Sequence, residues 1–229
     1  MRRAEINEII KQAQSFIESF GYVLPPFAHW TPSDWDANRA QAGAIVDAAL
    51  GWDITDYGLG RFEETGLFLF TVRNGNEADL RAGSGMLYAE KIMISRRDQL
   101  SPMHYHRVKA EDIINRGGGT LVVELYHREV EGEGLDQERP VTVFCDGMPR
   151  TVQAGGRIAL APGESVTLLP TVYHAFWGEG EDVLIGEVST VNDDRTDNYF
   201  LDKLGRFPDI EEDEPPYRLL VKDLSLIHI

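Results

Sequence analysis

The chain has 229 residues, 42% of them apolar, enough for one core of good size and too many for a disordered chain. With 22 Lys and Arg against 38 Asp and Glu the net charge is −16, which repels phosphate backbones and anionic lipid and excludes nucleic acid and membrane surfaces as partners. No apolar run reaches the ~20 residues a bilayer span needs, and the N-terminal MRRAEINEIIKQAQSF lacks the apolar block and cleavage site of a secretory signal. Cys145 is the single cysteine, so no intrachain disulfide forms, and a reducing cytoplasm is the expected location.

The first predicted element is a helix. Ile6, Ile9, Ile10, Ala13, Phe16, Ile17 and Phe20 fall on one face at helical spacing, and Gly21 is a stop. YVLPPFAHWTPSDW reads as a packed loop. Ser33 or Asp34 is expected to cap a second helix that runs to about Leu50, ahead of Gly51. Residues 1–60 therefore read as a helical N-terminal extension. From about residue 61 the texture changes to short strands. GLFLFTVRNG, GMLYAEKIMIS, the segment from Gln99 to His106, and TLVVELYHREV are strands. VTVFCDGMPRTV is a hairpin turning at Asp-Gly. RIALAPGESVTLLP and YHAFWGEGEDVLIGEVSTV each give a further pair of short strands. This spacing predicts a mainly β protein, a sandwich or small barrel over residues 61–223. The acidic PDIEEDEPP reads as loop or edge cover. The last six residues, LSLIHI, back-translate to the transposon mosaic-end adaptor used in library preparation. Residues 224–229 are therefore expected to be a cloning or sequencing scar, with a genuine terminal strand as the alternative, and His228 is given no role.

The chemistry concentrates in SPMHYHRVKAEDIINRGGG. Alternate residues of a strand face the same way, so His104 and His106 point together and Tyr105 points opposite. Glu111, after a brief turn, can swing toward the same point. Two imidazoles and a carboxylate are three ligands for a first-row transition metal. His174, just after the SVTLL strand, is the best candidate for a fourth. His127 is followed by charged residues and is expected to exit to solvent. A lone His-x-His pair would read as an exposed polar strand face; Glu111, the glycine cluster and His174 favour the metal.

His104, His106, Glu111 and Gly118 fit H-x-H-x4-E-x6-G and resemble the first motif of the cupin superfamily. Gly163 and His174 keep the Gly-to-His spacing of the second motif, although Pro170 is displaced by one residue, the internal Gly is absent and Gly178 stands where Asn is usual. The likeness extends further. AEKIMISRRDQLSPMHYHRVKAEDIINRGGGTLVVELY, LAPGESVTLLPTVYHAFW and GEVSTVNDD are similar to the bacterial D-lyxose isomerases, as is nearly the whole chain from the N-terminal helix through LGWDIT to EDEP. That resemblance implies a cupin (RmlC-like jelly-roll) β-barrel, a Mn²⁺-dependent aldose–ketose isomerase acting on a small sugar, and a homodimer. The implied reaction is D-lyxose to D-xylulose, with some D-mannose to D-fructose. The ligand set by itself also suits Fe, Co, Ni or Zn.

Such a reaction needs a proton carrier between C1 and C2 and an electrophile for the developing oxyanion. Lys109, flanked by His106 and Glu111, can polarise the carbonyl or hold a hydroxyl; the alternative is a solvated loop lysine. Glu187 sits in the apolar strand LIGEVS, where burial costs too much without a task and would raise its pKa, so it is the candidate base. Its alternative is an exterior position paired with an arginine. Asp194, Arg195 and Glu214 are weaker candidates for substrate binding. The resemblance makes the acidic tail a lid over the barrel mouth, from which Glu214 would reach a sugar hydroxyl. Phe176, Trp177 and Cys145 read as packing. Two other readings stay open: an Fe-dependent cupin dioxygenase with the same ligands, and a sugar-binding cupin without catalysis.

Overall fold

The computed structural model describes residues 1–224. Helix α1 (Arg3–Ser19) is followed by a 3-10 turn (Pro26–His29) and two short helices, α2 (Pro32–Asn38) and α3 (Gly43–Asp47). The remaining elements are β1 (Gly51–Thr55), β2 (Leu67–Arg73), α4 (Glu77–Ala82), β3 (Tyr88–Ser95), β4 (Ser101–Tyr105), β5 (Glu111–Arg128), β6 (Leu135–Asp136), β7 (Val141–Cys145), β8 (Met148–Val152), β9 (Gly156–Leu160), β10 (Ser165–Leu168), β11 (Val172–Thr190), β12 (Tyr199–Phe200) and α5 (Val221–Leu224). None of these helices is long and apolar enough to cross a membrane. Residues 225–229, most of the expected scar, lie outside the described residues; Leu224 is the buried end of α5.

The mainly β expectation holds: the strands pair antiparallel throughout the ladder, in the cupin arrangement. Its frame is the pair of long strands β5 and β11, matched from Val172 opposite His127 to Ser189 opposite Glu111. One half of this pair joins β3 on the β11 side and β10, β7 and β8 on the β5 side. The other half joins β4 on the β11 side and β9 and β6 on the β5 side. The two halves are the two layers of the barrel. In the core between them, Val141, Val143 and Cys145 point inward while Thr142 and Phe144 point out, the period-2 alternation of a strand with one buried face. The β7–β8 turn is Asp146-Gly147, with φ of 50° and 80°, the left-handed pair that a two-residue hairpin requires.

The expected pair of strands in YHAFWGEGEDVLIGEVSTV is one strand, β11, with an irregularity between Glu179 and Val183. Its glycines and acids look like a turn, but they mark the bend at which the strand crosses from one layer to the other. The triple glycine of β5 lies against this bend. Gly118 has φ 95°, and a Cβ there would come within 2.0 Å of the Asp182 carbonyl oxygen; one on Gly119 would come within 2.4 Å of the Glu179 carbonyl. A bare backbone lets the strands bend together.

The helical part also departs from expectation. The cap of α2 is Thr31: its Oγ1 accepts from the Asp34 N–H, and Asp34 Oδ2 accepts from the Thr31 N–H. The helix ends at Asn38, whose side-chain amide donates to the Asp34 carbonyl. The stretch to Leu50 is thus two short helices, and the sheet starts at Gly51, ten residues before the expected change of texture. Helix α1 buries Ile6, Ile9, Ile10, Ala13 and Ile17 against Trp52, Phe68, Phe70, Ile92 and Ile94 on the outer face of β1–β3; Phe16 is partly buried and Phe20 is exposed. Each such isoleucine is worth roughly 1.5–3 kcal/mol of burial.

Gly118→Ala should lower unfolding stability by about 2 kcal/mol or more, from left-handed strain and the carbonyl clash together. Urea unfolding measures it, and an unchanged midpoint would remove the glycine bend as a requirement of the fold.

Candidate active site

The bend of β11 has a consequence for chemistry. His174 and Glu187 are 13 residues apart on one strand, a straight span of about 43 Å, yet both line a single cavity at the barrel mouth. His104 comes from β4 and stands directly opposite His174 in the strand register. His106 follows the end of β4, and Glu111 opens β5. All four are buried. Ligand nitrogens of the three histidines lie within 4.8 Å of one another. Glu111 Oε1 is 3.2 Å from His174 Nε2 and 3.5 Å from His106 Nε2.

The protonation pattern follows from hydrogen bonds. His104 Nδ1 lies 2.8 Å from the Pro102 carbonyl oxygen, His106 Nδ1 2.6 Å from that of Asp197, and His174 Nδ1 3.1 Å from that of Val172. A carbonyl oxygen only accepts, so each Nδ1 carries the proton, and in the neutral ring each Nε2 presents a lone pair to the centre. Burial, then the neighbouring His174 and His106, holds His104 well below its ordinary range; burial, then Lys109, lowers His106. His106 Nε2 and Glu111 Oε1 are buried without a hydrogen-bond partner. Lone pairs converging on a carboxylate oxygen at this distance repel unless a cation lies among them. The three histidines therefore fit a divalent metal, with Glu111 Oε1 beside them, and the backbone carbonyls fix the ring tautomers.

The turn from His106 to Glu111 is held by an acid from the irregular segment before β12. The Asp197 carboxylate accepts from the backbone N–H groups of Arg107 (2.7 Å), Val108 (3.2 Å) and Lys109 (2.9 Å). Tyr105 faces the other side and packs on Tyr173 and Tyr199.

Beside the histidines lies a buried chain of charge. Lys109 Nζ is 2.6 Å from Glu111 Oε2 and 3.0 Å from Glu187 Oε1. Burial pulls its pKa down, but Glu111, Glu187 and Asp194 together outweigh this and hold the ammonium above its ordinary range. Lys91, the direct cross-strand neighbour of Glu187, reaches the same Glu187 oxygen at 3.4 Å, Asp194 at 3.4 Å and the Asn192 side-chain oxygen at 2.6 Å. Arg206 contacts Asp194 at 3.2 Å and Asp53 at 2.7 Å. Burial opposes ionisation of Asp194, but Lys91, Arg206 and Lys109 hold it well below the usual carboxylate range.

The structure thus brings together His104, His106, Glu111, His174, Lys109, Glu187 and Asp194. It does not bring Glu214. That carboxylate accepts from the Asn7 side chain on α1, and its neighbours Glu212 and Asp213 pair with Arg3 and Arg2, so the acidic tail is fastened to the N-terminal helix and does not cap the mouth. Residues 194–206 line the mouth instead, through Asp194, Asn198, Phe200 and Arg206. Arg195 is exposed. Phe176 is core and also cavity wall, whereas Trp177 lies on the outer face under Arg157, 4.9 Å from its ring, and is not core. His127 is half-buried at the far end of β5, outside the cavity. Lys91 carried the same signal as Glu187, a charge inside an apolar strand, AEKIMIS. Arg206 and Asp197 sit in irregular loops with no period to read.

In the metal-free protein, His104 and His106 resist protonation while the unfolded chain takes up protons below about pH 6.5. Stability should therefore fall as pH drops from 7 to 5. His104→Gln removes one such group and should flatten that slope by up to about 1.4 kcal/mol per pH unit. Urea titrations across this range measure it; equal slopes in the two proteins would contradict the neutral assignment.

The sequence matches the D-lyxose isomerase family over residues 1–224. It is 50% identical to a D-lyxose/D-mannose isomerase of Serratia proteamaculans over 223 residues, 96% of each chain. It is 43% identical to a D-lyxose/D-mannose isomerase of Escherichia coli O157:H7 over 226 residues, 97% of this chain and 98% of the relative. Among solved structures, the fold is similar to an L-ribose isomerase of Acinetobacter sp. DL28, with a TM-score of 0.59 at 15% identity, and to one of Cellulomonas parahominis, with a TM-score of 0.57 at 17% identity; each comparison covers 92% of this chain and 98% of the other. On the strength of the match along its described length, this chain belongs to the D-lyxose isomerase family, a family of aldose–ketose isomerases.

Proposed function

We propose that this sugar isomerase interconverts D-lyxose and D-xylulose, and also D-mannose and D-fructose, by moving a proton between C1 and C2 through a cis-enediol. The observation that carries the reading is the buried pair of Lys109 and Glu187, 3.0 Å apart in the same cavity as the three histidines and Glu111. The D-lyxose/D-mannose isomerase relatives support the choice of sugars.

Each residue has a role set by its environment. His104, His106, His174 and Glu111 would hold a divalent ion, for which we propose Mn²⁺ because a carboxylate ligand and hard sugar oxygens suit it. Bound there, the ion supplies Lewis acidity and a template for the sugar oxygens without redox chemistry. Lys109 stays an ammonium because three carboxylates surround it, so it donates to the oxygen on which negative charge develops and does not act as a base. Glu187 is the proton carrier: it takes the proton from C2 of the aldose and returns it to C1, while the O2 hydroxyl proton passes to O1 at the enediol stage. Lys91 and Lys109 approach one of its oxygens from two sides, which orients the carboxylate and offsets the cost of burying it. Asp194, paired with Lys91 and Arg206, borders the substrate's path.

Glu187→Gln preserves shape and removes no ligand. It should lower kcat by about 10²–10⁴-fold, the usual worth of general acid–base catalysis, with bound Mn²⁺ unchanged by elemental analysis. Metal-stripped protein should be inactive toward D-lyxose and regain ketose formation on adding Mn²⁺. Near-normal turnover by Glu187→Gln would move the proton-transfer role to another group, and full activity of the stripped protein would end the metal-dependent reading.

A further inference from the structure

Five acids are buried among the described residues, and two of them, Asp56 and Asp197, make no ion pair there. Asp56 closes its own turn, accepting from the N–H groups of Gly58 (3.0 Å) and Gly60 (3.1 Å). Asp197 is different. Its carboxylate serves N–H groups 88 to 90 residues away, those of Arg107, Val108 and Lys109. The Arg107 guanidinium turns aside to Glu133, at 2.7 Å. A buried carboxylate without a countercharge is costly, and successive backbone N–H groups make a concavity that offsets the cost only while carboxylate and turn stay in place.

The backbone of the same residue holds a metal-site histidine. The Asp197 carbonyl accepts from His106 Nδ1 at 2.6 Å. One residue thus fixes the His106 ring through its carbonyl and the turn from His106 to Glu111 through its side chain. Asp197 itself belongs to the segment at the mouth. Its N–H donates to the Asp193 carbonyl at 3.0 Å, and further along the Leu201 N–H donates to the Met103 carbonyl at 2.9 Å. Between them Phe200 stands opposite His104 in the β12–β4 pairing. Residues 193–201 are therefore fastened to the strand and turn that carry His104 and His106, and the same stretch supplies Asp194, Asn198 and Phe200 to the cavity wall.

A ligand imidazole and the wall of the cavity share one anchor. Resting on the metal reading above, we infer that Asp197 is a positioning residue that couples the metal site to the mouth segment: it aims His106 Nε2 at the centre, and an ion bound there in turn holds residues 193–201 against β4. Such coupling is reciprocal. The factor that the anchored segment adds to metal affinity is the factor that the metal adds to the anchoring of the segment. A carboxylate that only tied down a turn would stabilise the fold and leave the two quantities independent.

Calorimetric titration of Mn²⁺ into wild type and Asp197→Asn, with hydrogen–deuterium exchange read by mass spectrometry, tests this. Asparagine has nearly the same size and removes no metal ligand, but it offers one oxygen and a donor where the clamp needs two acceptors. Affinity for Mn²⁺ should fall roughly 10–100-fold, the usual cost of losing such a support. In wild type, saturating Mn²⁺ should slow exchange in segments 107–109 and 197–201 by a similar factor, and in Asp197→Asn the metal should no longer slow segment 197–201. Equal affinity in the two proteins overturns the inference. So does exchange in these segments that Mn²⁺ leaves unmoved in wild type, or a slowing spread evenly over every peptide, which is global stabilisation by a bound ion. Should Asp197→Asn fail to fold, the wild-type exchange decides by the same criteria. Wild type that takes up no Mn²⁺ would instead overturn the metal reading, and this inference with it.

Discussion

The long antiparallel pairing of β5 and β11 is the constraint on which the rest depends. Two strands of 18 and 19 residues stay in register while crossing from one layer to the other. Straight, they would scatter Glu111, His174 and Glu187 over tens of ångströms. Bent at the triple glycine and at Glu179–Val183, they bring these side chains to one cavity. The bend demands backbone approaches that no Cβ tolerates, so the glycines are as much part of the site as the histidines. The remaining two histidines reach the same place through β4, whose His104 stands opposite His174, and through the turn that Asp197 ties down.

Burying this much charge has to be balanced locally. Lys109, Lys91 and Arg206 alternate with Glu111, Glu187, Asp194 and Asp53 along one continuous chain of contacts. A lone buried ion costs several kcal/mol, and removing one partner of such a pair costs about 3–5 kcal/mol. The chain therefore resists rearrangement. It holds the Lys109 ammonium above its ordinary range and the Asp194 carboxyl well below its own. The same chain runs from Glu111 to Arg206.

The L-ribose isomerases share this fold at 15% and 17% identity. So little identity over nearly the whole chain means that the layered β frame tolerates wide change in its side chains. In this chain the mouth forms where the bent strands and the segment 194–206 converge. Asn198, Phe200 and Arg206, from the segment at the mouth, line the cavity without being part of the long strands.

Local rules determined much of this protein from the sequence alone. Helical spacing located α1 and its buried face; period-2 alternation and the Asp-Gly turn located β7 and β8; His-x-His spacing set two imidazoles on one side of β4; and a charge in an apolar strand marked Glu187. These signals are legible because each depends on residues near one another in the chain. Only the tertiary structure decided the rest. The glycine-rich acidic run in β11 reads locally as a turn, and its continuation as strand depends on pairing with β5, some 60 residues away. Lys91, Asp53, Asp197 and Arg206 acquire meaning through partners 88 to 153 residues distant for Asp197 and Arg206, and through a cross-strand register for Lys91. The acidic tail looks like a lid by composition, yet Arg3 and Asn7 hold it on α1. Long-range electrostatic pairing carries no period in the sequence, so it becomes visible only when the fold closes the distance.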